Sequence, residues 1–216
     1  MAKYGKYTGN QTEDFFNRIG GEAVIDRVLL GESILVEQPK NAKPVQQPAS
    51  VPKPAFHFKV GRTVTLGLHK TPAEYRKALE VAVPHIEIGI YAGQILDKIT
   101  ISPTVVEVDL SEPFTIANLG FTDTTRYDAI KKRIVELGGE LCPNEAGPAD
   151  RLQYIGQPKG DWYRTAMEPL PGVDDGLSVF SIGHGGGGLY LVGIDGNPDA
   201  LCGPGLRFVC VVPRKK

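Results

Sequence analysis

The sequence predicts an α+β chain: a short helical N-terminus, a Pro-rich linker, a central strand-helix-helix-strand unit, and a C-terminal helix with an antiparallel sheet. Three observations carry this. Apolar residues recur at helical spacing in some stretches and alternate in others. Five prolines crowd between Pro39 and Pro54. Glycine, with 26 of the 216 residues, clusters between short β-rich runs near the C-terminus.

Taken in order, Phe15, Phe16 and Ile19 followed by Val24, Ile25, Val28 and Leu29 read as two short helices meeting at Gly20-Gly21, within a segment spanning residues 1–38. Residues 39–55, with Pro39, Pro44, Pro48, Pro52 and Pro54 and no periodic apolar face, read as a polyproline-type spacer. Residues 56–68 alternate and are β-branched, so a strand is expected, with a bulge at Gly61. Thr71-Pro72-Ala73-Glu74 is a capping box with Pro at the first helical position, leading a helix that buries Tyr75, Ala78, Leu79 and Ala82. Residues 86–99 carry Ile88, Tyr91, Ala92, Ile95 and Leu96 at helical spacing, and residues 104–110 alternate as strand. These close a central unit over residues 56–112.

The C-terminal domain is expected over residues 113–216. A helix over residues 125–137 should start at a Thr125-Arg126-Tyr127-Asp128 box, bury Tyr127, Ile130, Ile134 and Leu137, and stop at Gly138-Gly139. A short helix or structured loop follows Cys142-Pro143-Asn144-Glu145. Residues 162–167, 177–182, 189–194 and 207–212 then form an antiparallel meander, with the glycine run after His184 as its turn.

Composition excludes several function classes. The 24 basic and 25 acidic residues leave a net charge of −1 and no field to concentrate nucleic acid. Lys131-Lys132-Arg133 is a solvated helix face. No stretch has spanning length, and the opening Met1 to Lys6 lacks a signal peptide's apolar run, so no membrane partner and a cytoplasmic location are expected. Three cysteines without a CxxC pair fit a reducing compartment.

Chemistry is sparse. The run His184 to Gly188 continues into strand rather than a helix N-terminus, which argues against a phosphate cradle. It also lacks the Gly-x-Ser-x-Gly elbow that an esterase oxyanion loop would need. His184, Cys202, Cys210, Asp195 and Asp199 lack metal-ligand spacing, so neither metal nor cofactor is expected. Cys142, near a possible helix start, is the best-placed thiol nucleophile, and Glu168, Asp174 and Asp175 are a conceivable carboxylate group around a turn. Trp162, Tyr163, Tyr190 and His184 are the candidate ligand-binding residues, on a shallow sheet face where aromatics give contact area at little entropic cost.

The stretches Cys142 to Pro148, Leu152-Gln153-Tyr154, Gln157 to Gly160, Met167-Glu168-Pro169 and Arg207-Phe208-Val209, with Ile19 to Glu22 and Leu30-Gly31-Glu32, resemble an uncharacterised family of small proteins from candidate-phyla (Patescibacteria-type) bacteria. The resemblance implies a bacterial source and, since that family carries no established activity, transfers no functional residues. A fainter likeness joins Gly205 to Cys210 to the closing strand of formylglycine-generating and C-type-lectin-like folds, and implies ligand display on a loop-rich sheet. The function expected is a non-enzymatic binding or assembly module engaging a protein partner or itself as a homo-oligomer. The alternatives are a hydrolase or transferase using Cys142 or the acidic turn, and a structural subunit of a larger particle.

Overall fold

The computed structural model of the chain describes residues 56–172 and 176–214. Internal contacts divide the chain into Met1–Val51 and Pro52–Lys216, and the described residues all belong to the second unit. The helical segment expected over residues 1–38 and the spacer over 39–55 lie outside them.

The described residues are α+β, with four α-helices and three sheets. Strand β1 (Val60–Leu66) pairs antiparallel with β3 (Val106–Ser111). The register shifts between Val60 and Arg62, placing the bulge at Gly61 as expected; a Cβ there would stand 2.8 Å from Glu112 N, so the two backbones touch where only glycine fits. Phe56 and Phe58, expected inside the strand, precede it and pack as rings against Phe114.

Helix α1 (Pro72–Glu80) starts as its capping residues predict, with Thr71 Oγ1 accepting from Glu74 N. The reciprocal bond runs to Lys70 N rather than to the Thr71 backbone. Tyr75 and Leu79 are its buried stripe.

The helix expected over residues 86–99 is a correction. Ile86–Ile88 is a strand, β2, and the helix, α2, is confined to Ile90–Leu96. Ile-Glu-Ile also satisfies a period of two, and the slot beside another strand decides between the two periods. Gly89 takes extended backbone as the N-cap between them, so Ala92, Ile95 and Leu96 are buried while Tyr91 is exposed.

After β4 (Phe114–Thr115), a 3-10 turn at Ile116–Leu119 is closed by a capping box of Thr115 and Asn118. Helix α3 (Tyr127–Glu136) buries Tyr127, Ile130 and Ile134 as expected, but its proposed box does not form. Thr125–Arg126 is instead a short strand, β5, paired with β10 (Leu201–Cys202), and Tyr127 N is taken by Ala200 O. Helix α4 (Ala146–Gln153) follows Cys142.

The main sheet runs β2-β9-β8-β6-β11-β4, built from β6 (Trp162–Thr165), β8 (Leu177–Gly185), β9 (Gly188–Asp195) and β11 (Arg207–Val209), with β7 (Leu170–Pro171) beside β8. It is not a pure meander. β6, β8 and β9 are antiparallel neighbours, but β11 joins β6 in parallel and β2 joins β9 in parallel. Strand pairing therefore crosses the expected 112/113 boundary, because β2 comes from the segment before it. A contiguous core from Val64 through Phe180 to Val211 lies beneath these elements. Among the described residues, no helix is long and apolar enough to cross a membrane.

Candidate binding face

Alternation along β6 sends Trp162 and Arg164 to one side of the sheet and Tyr163 and Thr165 to the other. Trp162 stands opposite Gly183 of β8, which in turn stands opposite Tyr190 of β9, so the indole and phenol share a face. Their rings stack with centroids 5.5 Å apart and planes 30° from parallel. The indole is 38% exposed, so the pair is open to a partner.

The glycine run makes this possible. A Cβ on Gly183 would stand 2.1 Å from the indole, and one on Gly185 would stand 3.1 Å from the Tyr190 ring. The expected hairpin turn forms at Gly186-Gly187, with Gly185 paired to Gly188. These glycines are both the turn and the floor on which the two aromatics lie.

A hydrogen-bonded loop braces that floor. Gly160 N donates to His184 O (2.7 Å), and His184 N donates to Asp161 O (3.0 Å). His184 Nδ1 lies 2.6 Å from Gln157 O. A carbonyl only accepts, so Nδ1 carries the proton, and in the neutral ring Nε2 is an acceptor. Arg207 holds Asp161 at 2.5 Å. Behind the loop the fully buried Arg151 donates to Gln157 Oε1 (2.5 Å), to Gly183 O (3.2 Å) and to Tyr154 O. Burial pushes its guanidinium below the usual value, opposed by the neighbouring Tyr163 and Asp150.

Tyr163 is a correction to the expected face: it is buried on the opposite side. Its hydroxyl donates to Asp150 Oδ2 (2.8 Å) and accepts from Arg62, whose guanidinium grips both Asp150 oxygens at 2.5 and 2.7 Å. Burial alone would lower Arg62, but the hydrogen bond and charge of Asp150 outweigh it. Burial, and then Asp150, pushes the Tyr163 phenol up, so it stays protonated as a donor. Nothing in the local pattern around Asp150 and Arg151 announces this cluster, because charged residues are ordinarily on the surface whereas α4 is buried without a break from Ala146 to Arg151.

The groups behind the chemical alternatives are buried or already paired. Cys142, Cys202 and Cys210 are all buried free thiols. Burial above all pushes Cys142 well above its ordinary value, with Cys210 adding to the shift. A thiolate is the nucleophile, so this environment opposes the chemistry proposed for Cys142. We expect a thiol reagent such as DTNB at pH 7 to label none of the three until denaturant is added; rapid stoichiometric labelling of Cys142 would restore the thiol reading. Glu168 is exposed and engaged by Lys131 at 2.5 Å. Asp174 and Asp175 lie outside the described residues. Among the described residues, no three of His, Cys, Asp and Glu gather as metal ligands.

No family model matches the chain, and no similar chain is found among curated proteins or solved structures.

Proposed function

We propose that this chain is a non-enzymatic binding or assembly module that engages a protein surface through the Trp162–Tyr190 face. The observation behind this reading is a stacked, part-exposed aromatic pair held on a glycine floor with its supporting loop already hydrogen-bonded. Rigid aromatics lose little side-chain freedom on binding, so such a pair favours contact with a partner. The hydrolase or transferase reading has no observation in its favour, given the burial of Cys142 and the pairing of Glu168.

Trp162 is the single tryptophan, so it reports on its own surroundings. Gly183→Ala is expected to lift the indole from the sheet and shift its emission to the red while leaving the far-UV spectrum unchanged. Quantitative affinity capture from the native host should then lose the same partners with Gly183→Ala, Trp162→Ala and Tyr190→Ala. Retention of every partner by all three variants would sink the reading.

A further inference from the structure

The main sheet ends at β2. On one side β2 pairs with β9, and among the described residues no strand pairs with its other side. Gly89 N donates to Leu191 O at 2.9 Å, so alternation turns Glu87 and Gly89 toward β9. The N–H and C=O groups of Ile86 and Ile88 are then directed to the open edge. An open cleft of about 410 Å³ lies beside that edge, bordered by Arg76 and Glu80 of α1. Natural edges are usually covered, bulged or blunted, because unpaired backbone groups invite another strand. This one is flanked by two apolar side chains in the open, Val83 at 89% and Ile90 at 80% exposed.

We propose that the β2 edge pairs with the same edge of a second copy of this chain, antiparallel about a two-fold axis at Ile86, joining two sheets into one. A second copy is favoured as occupant because the edge carries its own charge complement, His85 and Glu87 two residues apart on one face. With Ile86 opposite Ile86, the outward amide and carbonyl of each bond to those of the other, the hydrogen-bonded type of antiparallel pair. His85 then stands opposite the partner's Glu87, and Glu87 opposite the partner's His85, on the exposed face of the sheet. The imidazole and carboxylate are both well exposed and lie 3.6 Å apart within one copy, so each is placed to take a second partner.

The competing register centred on Glu87 would form two bonded Ile86–Ile88 pairs, but it sets the two Glu87 carboxylates directly against each other and gives His85 no carboxylate opposite, and the charge pattern selects the Ile86 register. In the Ile86 register the outward groups of Ile88 face Pro84, which offers no N–H, so the ladder is one bonded pair flanked by two His85–Glu87 contacts, each the image of the other. This is the reciprocity an isologous interface requires. The inference goes beyond the aromatic-face reading and stands on different residues. Because the axis is perpendicular to the sheet, the two Trp162–Tyr190 pairs lie on the same side of the joined sheet.

Sedimentation velocity of the full chain across about 1 to 100 µM tests the proposal. The wild-type chain is expected to shift from monomer to dimer. His85→Lys should tighten the dimer, since a fixed positive charge then faces the partner's Glu87. The double variant His85→Lys/Glu87→Lys should weaken it at least about tenfold, because like charges then meet twice. The reversed pair His85→Glu/Glu87→Lys should restore it, which only the proposed register explains. Trp162→Ala should leave the dimer intact, separating this surface from the aromatic face. All these positions are exposed, and unchanged Trp162 emission in the His85 and Glu87 variants confirms that they fold. A chain that is monomeric throughout, a dimer indifferent to the charge changes, or failure of the reversed pair to restore it would overturn the proposal.

Discussion

Asp150→Ala is expected to lower the unfolding free energy by about 3–5 kcal/mol, among the largest effects of any single substitution in the chain. The carboxylate is fully buried and meets the Arg62 guanidinium with both oxygens, so its removal strands a charge that is itself mostly shielded from water. Tyr163 loses the acceptor for its hydroxyl at the same moment. Arg62 also lies over the Tyr154 and Tyr163 rings, 4.4 and 5.0 Å from their centroids, so those contacts alone would have to hold a cation whose counter-charge has gone.

The double variant Arg62→Met/Asp150→Leu is expected to be milder than Asp150→Ala alone, because removing both charges removes the desolvation cost along with the attraction. Urea unfolding of the three proteins, followed through Trp162, measures this. A double variant as unstable as the sum of its two single variants would show that the pair is not the unit of stabilisation. The cluster ties α4 to β1 and β6, and β6 carries Trp162, so the same comparison asks how far the binding face depends on buried charge.

Local signals were legible in the sequence where chemistry is local. Thr71 and Pro72 fix the start of α1 because a cap and a pre-set φ act within four residues. Gly61 announces a bulge, and the glycines after His184 announce a turn, for equally local reasons. Ile86 to Ile88 misled because three residues satisfy both a helical and an alternating period, and the partner that decides between them, β9, lies a hundred residues away. Thr125 failed as a cap for the same kind of reason: β10 offers it a ladder, and a strand pairing outcompetes a single side-chain bond.

The candidate face was half legible. Trp162 and Tyr190 do share a side across the β8–β9 hairpin, as residues in one cross-strand row must, whereas His184, one residue past Gly183, is turned to the opposite side and bonded to Gln157 O. Tyr163 shows the limit, as neighbouring residues of a strand point to opposite faces and only one of Trp162 and Tyr163 can belong to the open one. The buried polar residues Glu145, Asp150, Arg151 and Gln157 were illegible because polar side chains are ordinarily surface residues, and their partners come from β1, β6, β8 and the loops around α1.

Glu145→Gln is the second large expected effect, and its signature is a dependence on pH. The buried carboxylate accepts from Gly67 N and Tyr75 Oη through one oxygen and from Ser102 N through the other, all at 2.7 Å. Two loops and a helix therefore converge on one negative charge. Burial alone would raise this carboxyl, but the bonds from Tyr75, Gly67 and Ser102 outweigh it and hold it below the ordinary carboxylate range. A group depressed in the folded state contributes stability that is present above its unfolded value, near 4.3, and is lost as pH falls through the folded value.

Glutamine has the same shape but turns an NH2 toward one of the three donors, so at neutral pH the variant should lose about 2–4 kcal/mol. On acidification the wild-type carboxyl gains a proton and comes to resemble the amide, and the gap between the two proteins should narrow steadily below about pH 4. Denaturant unfolding of both proteins between pH 7 and pH 3 resolves the two curves. If they stay parallel across that interval, the Glu145 charge does not hold the loops, and the bonds it accepts are no stronger than those to a neutral side chain.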